Sequence, residues 1–140
     1  VGARRAAREV VLQALYSLDH NSAALADTMI LVRDDETLSG PAQAFADELL
    51  TGVTGNLPAI DGRIKALSKN WALTRIGKIE LAILRLAAYE LMFRSEIPAN
   101  VTINEAIEIA KKYGTEDSPA FVNGILDELS SSIAEKRPTP

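Results

Sequence analysis

Residues 77–93, GKIELAILRLAAYELMF, contain no proline and only four charged side chains; leucine, isoleucine and alanine fill most of the rest. At 100° per residue, Lys78, Ala82, Arg85, Tyr89 and Met92 fall on one strip. Ile79, Ile83, Leu84, Leu86, Ala87, Ala88 and Leu91 cover most of the remaining circumference. A helix apolar over so much of its surface must be enclosed by others, so this stretch is expected to be the central core helix. It is too short and too charged to span a membrane. Glu80 and Glu90 project away from the Lys78–Arg85 strip, so each needs a partner or a path to water.

The rest of the chain supplies helices to surround it. ARRAAREVVLQALYSLD (3–19) is amphipathic, with Ala7, Val10, Val11, Ala14, Leu15 and Leu18 as its apolar stripe and Arg4, Arg5 and Arg8 beside it. Asn21-Ser22 can cap a second helix running to about Val32. Pro41 suits the first turn of a third, whose buried face is Ala42, Phe45, Ala46, Leu49, Leu50 and Val53. Gly52, Gly55 and Pro58 allow either a kinked continuation or a new helix near Asn56, and Ile60, Ile64, Leu67 and Trp71 resume the spacing. Leu73-Thr74 is a short link into the central helix. For the sixth helix, Thr102 is the expected N-cap and Glu105 completes a capping box, with Val101 stapled against Ala106 and Gly114 as the stop. Asp117 or Ser118 caps the last helix, which carries Phe121, Val122, Ile125, Leu126, Leu129 and Ile133 inward. No stretch alternates with period two. The expected fold is all-α, about seven helices, as one domain over residues 1–140 with residues 134–140 a disordered tail.

Chemistry is thinly supplied. The absence of cysteine removes thiol catalysis, Cys-ligated zinc and disulfides together. Nothing at the start of the sequence reads as a signal peptide. His20 is the only histidine, at a helix end beside Asp19, where an exposed or capping role outweighs a catalytic one. Asp34-Asp35-Glu36 lacks the ligand spacing of a calcium loop, and Gly52, Gly55 and Gly62 do not follow a strand as a phosphate-binding loop requires. No enzyme, metal or cofactor is expected.

Charge is unevenly placed. Residues 27–61 carry seven acids against Arg33 alone, a net of −6, while Arg4, Arg5 and Arg8 open the chain without an acid; the whole chain is −4. A basic protein partner would be drawn to the acidic middle. Arginine's planar fork suits phosphate, although three arginines would equally solubilise a terminal helix. In GTEDSPAF, Phe121 could stack a base, or belong to the core, and Ser118 with nearby backbone N–H groups could reach phosphate or base edges. Asp117 repels phosphate, so on an RNA it would have to accept from a base or sugar hydroxyl, giving selectivity rather than affinity. Glu80 either pairs internally, with an arginine such as Arg75, or faces a basic partner.

The blocks ARRAAREVVLQALYSLD, LAILRLAAYEL and IPANVTINEAIEIAKKYGTEDSPAFVNGILDEL together resemble the NusB family of bacterial transcription antitermination factors, from about residue 3 to residue 133. The resemblance implies two small helical bundles sharing the central helix. It also implies a non-enzymatic, cytoplasmic protein that binds the boxA element of nascent RNA, notably in ribosomal RNA operons. Its partner there is a small-subunit ribosomal protein, NusE, and the complex joins the elongating RNA polymerase through other Nus factors and suppresses premature termination. Residue by residue, it places Arg4, Arg5, Arg8, Tyr113, Asp117 and Phe121 toward RNA, and Tyr16 and Glu80 on the joint RNA and ribosomal-protein surface. Both monomers and homodimers fit the family.

Ala6 and Ala7 interrupt a basic run that is often denser in such proteins, so weak RNA binding by the isolated chain is expected, with greater dependence on the partner. A related domain precedes certain ribosomal RNA cytosine methyltransferases, but this sequence has no methyl-donor fold and no cysteine nucleophile. The cross-class alternative is a helical scaffold that docks proteins only.

Overall fold

A computed structural model describes residues 2–21, 25–68 and 75–136. Among the described residues there are seven helices and no strand: α1 (Ala3–Asn21), α2 (Leu25–Arg33), α3 (Gly40–Gly55), α4 (Leu57–Leu67), α5 (Lys78–Phe93), α6 (Ala99–Tyr113) and α7 (Ser118–Lys136). None of these helices is long and apolar enough to cross a membrane. The anticipated link at Leu73-Thr74, Trp71, the Ser22 cap, the His20 side chain and the last four residues of the expected tail lie outside the described parts. Residues 134–136 of that tail belong to α7.

Helix α5 is the shared wall. On one side α1, α2 and α3 pack together and α1 and α3 rest on α5; on the other, α4, α6 and α7 do the same. Leu81 to Leu84 and Leu86 to Leu91 are all buried, so burial extends right around the helix, as its composition demands. Tyr89, on the charged strip in sequence, is buried because α3 makes room for it. A Cβ on Gly52 would stand 2.2 Å from the Tyr89 ring, so only glycine lets these helices approach so closely. Arg85, on the same strip, is matched by a two-pronged bond to Asp61 of α4, both contacts at 2.9 Å.

The uncertain region around Gly52–Pro58 is a break, not a kink. Asn56 ends α3 and precedes α4, its side-chain amide donating to the Gly52 carbonyl at 2.8 Å, and Pro58 falls in the first turn of α4. At the start of α3, Ser39 accepts from the Ala42 N–H at 3.3 Å.

The sixth helix departs from its expected start. It begins at Ala99, a turn earlier, after Pro98, and Thr102 and Glu105 form no capping box. Thr102 is buried and donates to Glu90, while Glu105 reaches across to α1. The cause is electrostatic: a buried carboxylate on α5 and cations on α1 bind these side chains more strongly than a local backbone N–H does. Val101 is exposed and staples nothing.

Candidate nucleic-acid interface

Helix α1 faces α5 and α6 with a row of charges. Arg8 lies on its inner side and is only 3% exposed. Its Nε donates to Glu90 Oε2 at 2.8 Å and its Nη2 to Glu90 Oε1 at 2.7 Å, and the Thr102 hydroxyl adds a third donor at 3.0 Å. Such a pair is sustained only when geometry this complete offsets the loss of water around both charges. The guanidinium is therefore committed to the interior.

Arg5, three residues earlier, bonds Glu105 of α6 through Nε at 3.0 Å and also through Nη2. That hydrogen bonding, against the effect of burial, holds the Glu105 carboxyl below the usual carboxylate range. Glu9 accepts from both Lys112 Nζ and the Tyr113 hydroxyl, each at 2.6 Å. Burial pushes the Glu9 carboxyl up, but these two donors outweigh it and hold it down, while the same bond to Glu9 raises the Tyr113 phenol. The Lys112 ammonium sits 5.3 Å from the Tyr113 ring centre. Arg4 diverges toward α3, exposed, with its guanidinium 4.5 Å over the Phe45 ring.

The turn from α6 to α7 continues this surface. Gly114 ends α6, where a Cβ would stand 2.5 Å from Ser118 Oγ. Ser118 is buried; its hydroxyl accepts the Thr115 N–H at 2.9 Å and donates to the Glu80 carboxylate on α5. Glu80 is thus internally bonded, but to Ser118 and not to Arg75. A Cβ on Gly77 would stand 2.1 Å from Glu80 Oε1, so a glycine before α5 leaves the carboxylate its place. Asp117 is exposed, and Phe121 is half-buried against the core.

The fold therefore joins Arg5, Arg8 and Tyr113 along the α1–α6 seam, and Glu80, Asp117 and Phe121 at the corner of α5 and α7, with the short turn after Tyr113 connecting the two. Tyr16 is half-buried, two turns beyond Glu9 on the same side of α1. Along the outer face of α1 runs a groove of about 510 Å³ whose charged lining is Arg5, Glu9, Asp35 and Lys112. Glu9 and Lys112 were missed as site residues because only the meeting of α1 with the end of α6, more than a hundred residues away, gives them to each other.

The acidic middle of the chain is partly neutralised internally. Asp47 pairs with Arg33, Asp61 with Arg85 and Glu48 with Arg94. Asp27, Asp34 and Glu36 stay exposed. Asp35 is turned into its own loop, accepting the Thr37 N–H at 2.9 Å.

Comparison with known proteins places this surface in context. The transcription antitermination protein NusB of Geobacter sulfurreducens is 53% identical over 137 residues, covering 97% of this chain and 99% of that protein. The solved T. maritima NusB superposes with a TM-score of 0.84 at 41% identity, covering 91% of this chain and 90% of that one. A structure of antitermination factors NusB and NusE in complex with dsRNA shares the fold, with a TM-score of 0.83 at 24% identity over 93% of this chain and 97% of its own. The NusB family profile matches residues 5–131, nearly the whole helical body, and this chain belongs to the NusB family.

Proposed function

We propose that this chain is a transcription antitermination factor. It binds boxA RNA of ribosomal RNA operons jointly with the ribosomal protein NusE, and helps RNA polymerase resist termination through other Nus factors. The observation that carries the reading is near end-to-end identity of about half with proteins named for that role. The solved neighbour containing NusB, NusE and dsRNA supports the choice of partners. The role is one of binding, not catalysis, and is exercised in the cytoplasm, where transcription takes place.

Within this reading, Arg4, Arg5, Tyr113, Asp117 and Phe121 face RNA, and Tyr16 and Glu80 serve the surface shared with NusE. Arg8 acts from inside by fixing α1 against α5. Because Arg5 and Lys112 are already bonded to carboxylates, few cations are left for phosphate, which supports weak binding by the isolated chain and reliance on the partner.

The test is titration of a boxA-containing RNA and a scrambled control, with and without NusE, at two salt concentrations. Selective binding strengthened by NusE is expected. Binding of NusE without RNA selectivity would replace this reading with a protein-docking scaffold.

A further inference from the structure

The triad of Glu9, Lys112 and Tyr113 raises a question that RNA affinity alone does not answer. A surface built only to attract phosphate would leave Lys112 unpaired, since each free cation adds counterion release. Here the ammonium is matched by a carboxylate from another helix, although the lysine side chain is 61% exposed and Glu9 only 17%. The phenol's single proton also goes to Glu9, so Tyr113 offers a ligand only acceptor capacity, part of which the neighbouring Gln13 side chain already uses. The three groups together carry no net charge at pH 7, and two of them, Glu9 and Lys112, line the charged groove along α1.

We propose that Glu9 is a specificity-determining residue of the RNA surface, acting by holding Lys112 and Tyr113 as a neutral, preoriented platform. The inference rests on the RNA-binding reading above and goes beyond it. A platform neutral overall gains little from phosphate wherever it meets it. Its remaining groups, phenol lone pairs and ammonium protons, are best satisfied together by a donor and an acceptor in fixed positions, such as base amino and carbonyl groups or the ribose hydroxyl. Glu9 thus suppresses generic binding more than it weakens the intended complex, the logic of a residue placed against the wrong ligand.

Glu9→Gln tests this. Glutamine keeps the shape and one acceptor but removes the charge, freeing Lys112 for phosphate. Binding of a boxA RNA and a scrambled single strand of equal length is measured by anisotropy across a salt series, for the chain with NusE. The expected result is tighter binding of the scrambled strand by several-fold and a reduced boxA-to-scrambled ratio. The salt slope for the scrambled strand should steepen by about 0.7, the contribution of one added phosphate contact on a single strand.

Lys112→Ala should change the scrambled-strand slope little alone, yet cancel the gain when combined with Glu9→Gln. A Glu9→Gln variant that weakens both RNAs equally at an unchanged slope would mean a merely structural role and overturn the proposal. Unchanged affinities and slope would overturn it as well. Absence of any RNA binding by the unaltered complex is a separate outcome: it would sink the RNA-binding reading, and the Glu9 assignment with it.

Discussion

Arg8→Ala should damage the fold before it touches RNA binding. The substitution strands the Glu90 carboxylate, whose side chain is 1% exposed, with the Thr102 hydroxyl as its remaining donor. Removing one partner of a buried pair costs about 3–5 kcal/mol. Space beside the pair amounts to about 10 Å³ and could hold at most one water, so the native surroundings offer the carboxylate little solvent. The hole left by the arginine would admit some, which favours the low end of that range. Loss of the Arg8 contact with Phe45, 5.3 Å from the ring centre, adds about 0.5–1 kcal/mol. A total of about 3–4 kcal/mol corresponds to a fall in Tm of roughly 10 °C for a chain this size.

Urea unfolding followed by far-UV circular dichroism reads the value directly. A paired replacement, Arg8→Met with Glu90→Leu, should recover most of the loss, because an apolar pair of similar volume needs no charge compensation. If Arg8→Ala costs less than about 1 kcal/mol, or the apolar pair is no better than the single change, the buried-pair reasoning is wrong.

Three further outcomes follow from the packing and the charges. Gly52→Ala would normally gain about 0.5–1 kcal/mol of helix preference, but its methyl meets the Tyr89 ring, so a net loss of about 1–3 kcal/mol is expected. In a Tyr89→Leu background the same change should become neutral or stabilising, as denaturant titration would reveal. Gly77→Ala should push Glu80 off the buried Ser118 hydroxyl at a cost of about 1–3 kcal/mol, and a thermal melt within 1 °C of the unaltered chain would refute it. Glu105 titrates below the usual carboxylate value, chiefly through its hydrogen bond to Arg5, so it adds stability fully present above its unfolded-state value of about 4.3 and lost as pH falls through the lower folded-state value. The stability gap between the unaltered chain and Glu105→Gln should therefore be constant from about pH 7 to 5 and close below about pH 4.5.

What could be read from residues alone divides along physical lines. Periodicity located α1, α3, α5 and α7 and their buried faces, because burial repeats with the helical turn. The resemblance supplied the sharing of α5 between two bundles, which no local pattern contains. The capping-box reading of Thr102 and Glu105 failed because local backbone donors compete with charges brought in from α1 and α5, and those charges are distant in sequence. Arg8 failed as a surface cation for the same reason. It reads as one of three similar arginines, and only the third dimension separates the buried one bonded to Glu90 from the exposed Arg4, although both lie near the Phe45 ring. Glu80 was rightly expected to need a partner, yet the partner is a serine from α7.

The sharing of α5 also fixes how the molecule comes apart. Both bundles lose a packing surface when α5 leaves, since α1 and α3 on one side and α4, α6 and α7 on the other all rest on it, so the two halves are expected to open together. Amide protons near Leu84 and Ala88, at the centre of that helix, should exchange with solvent only through opening of the whole chain, with one common free energy of opening. Amides of α2, which packs mainly on α1 and α3, should exchange sooner through a local event that leaves the rest standing.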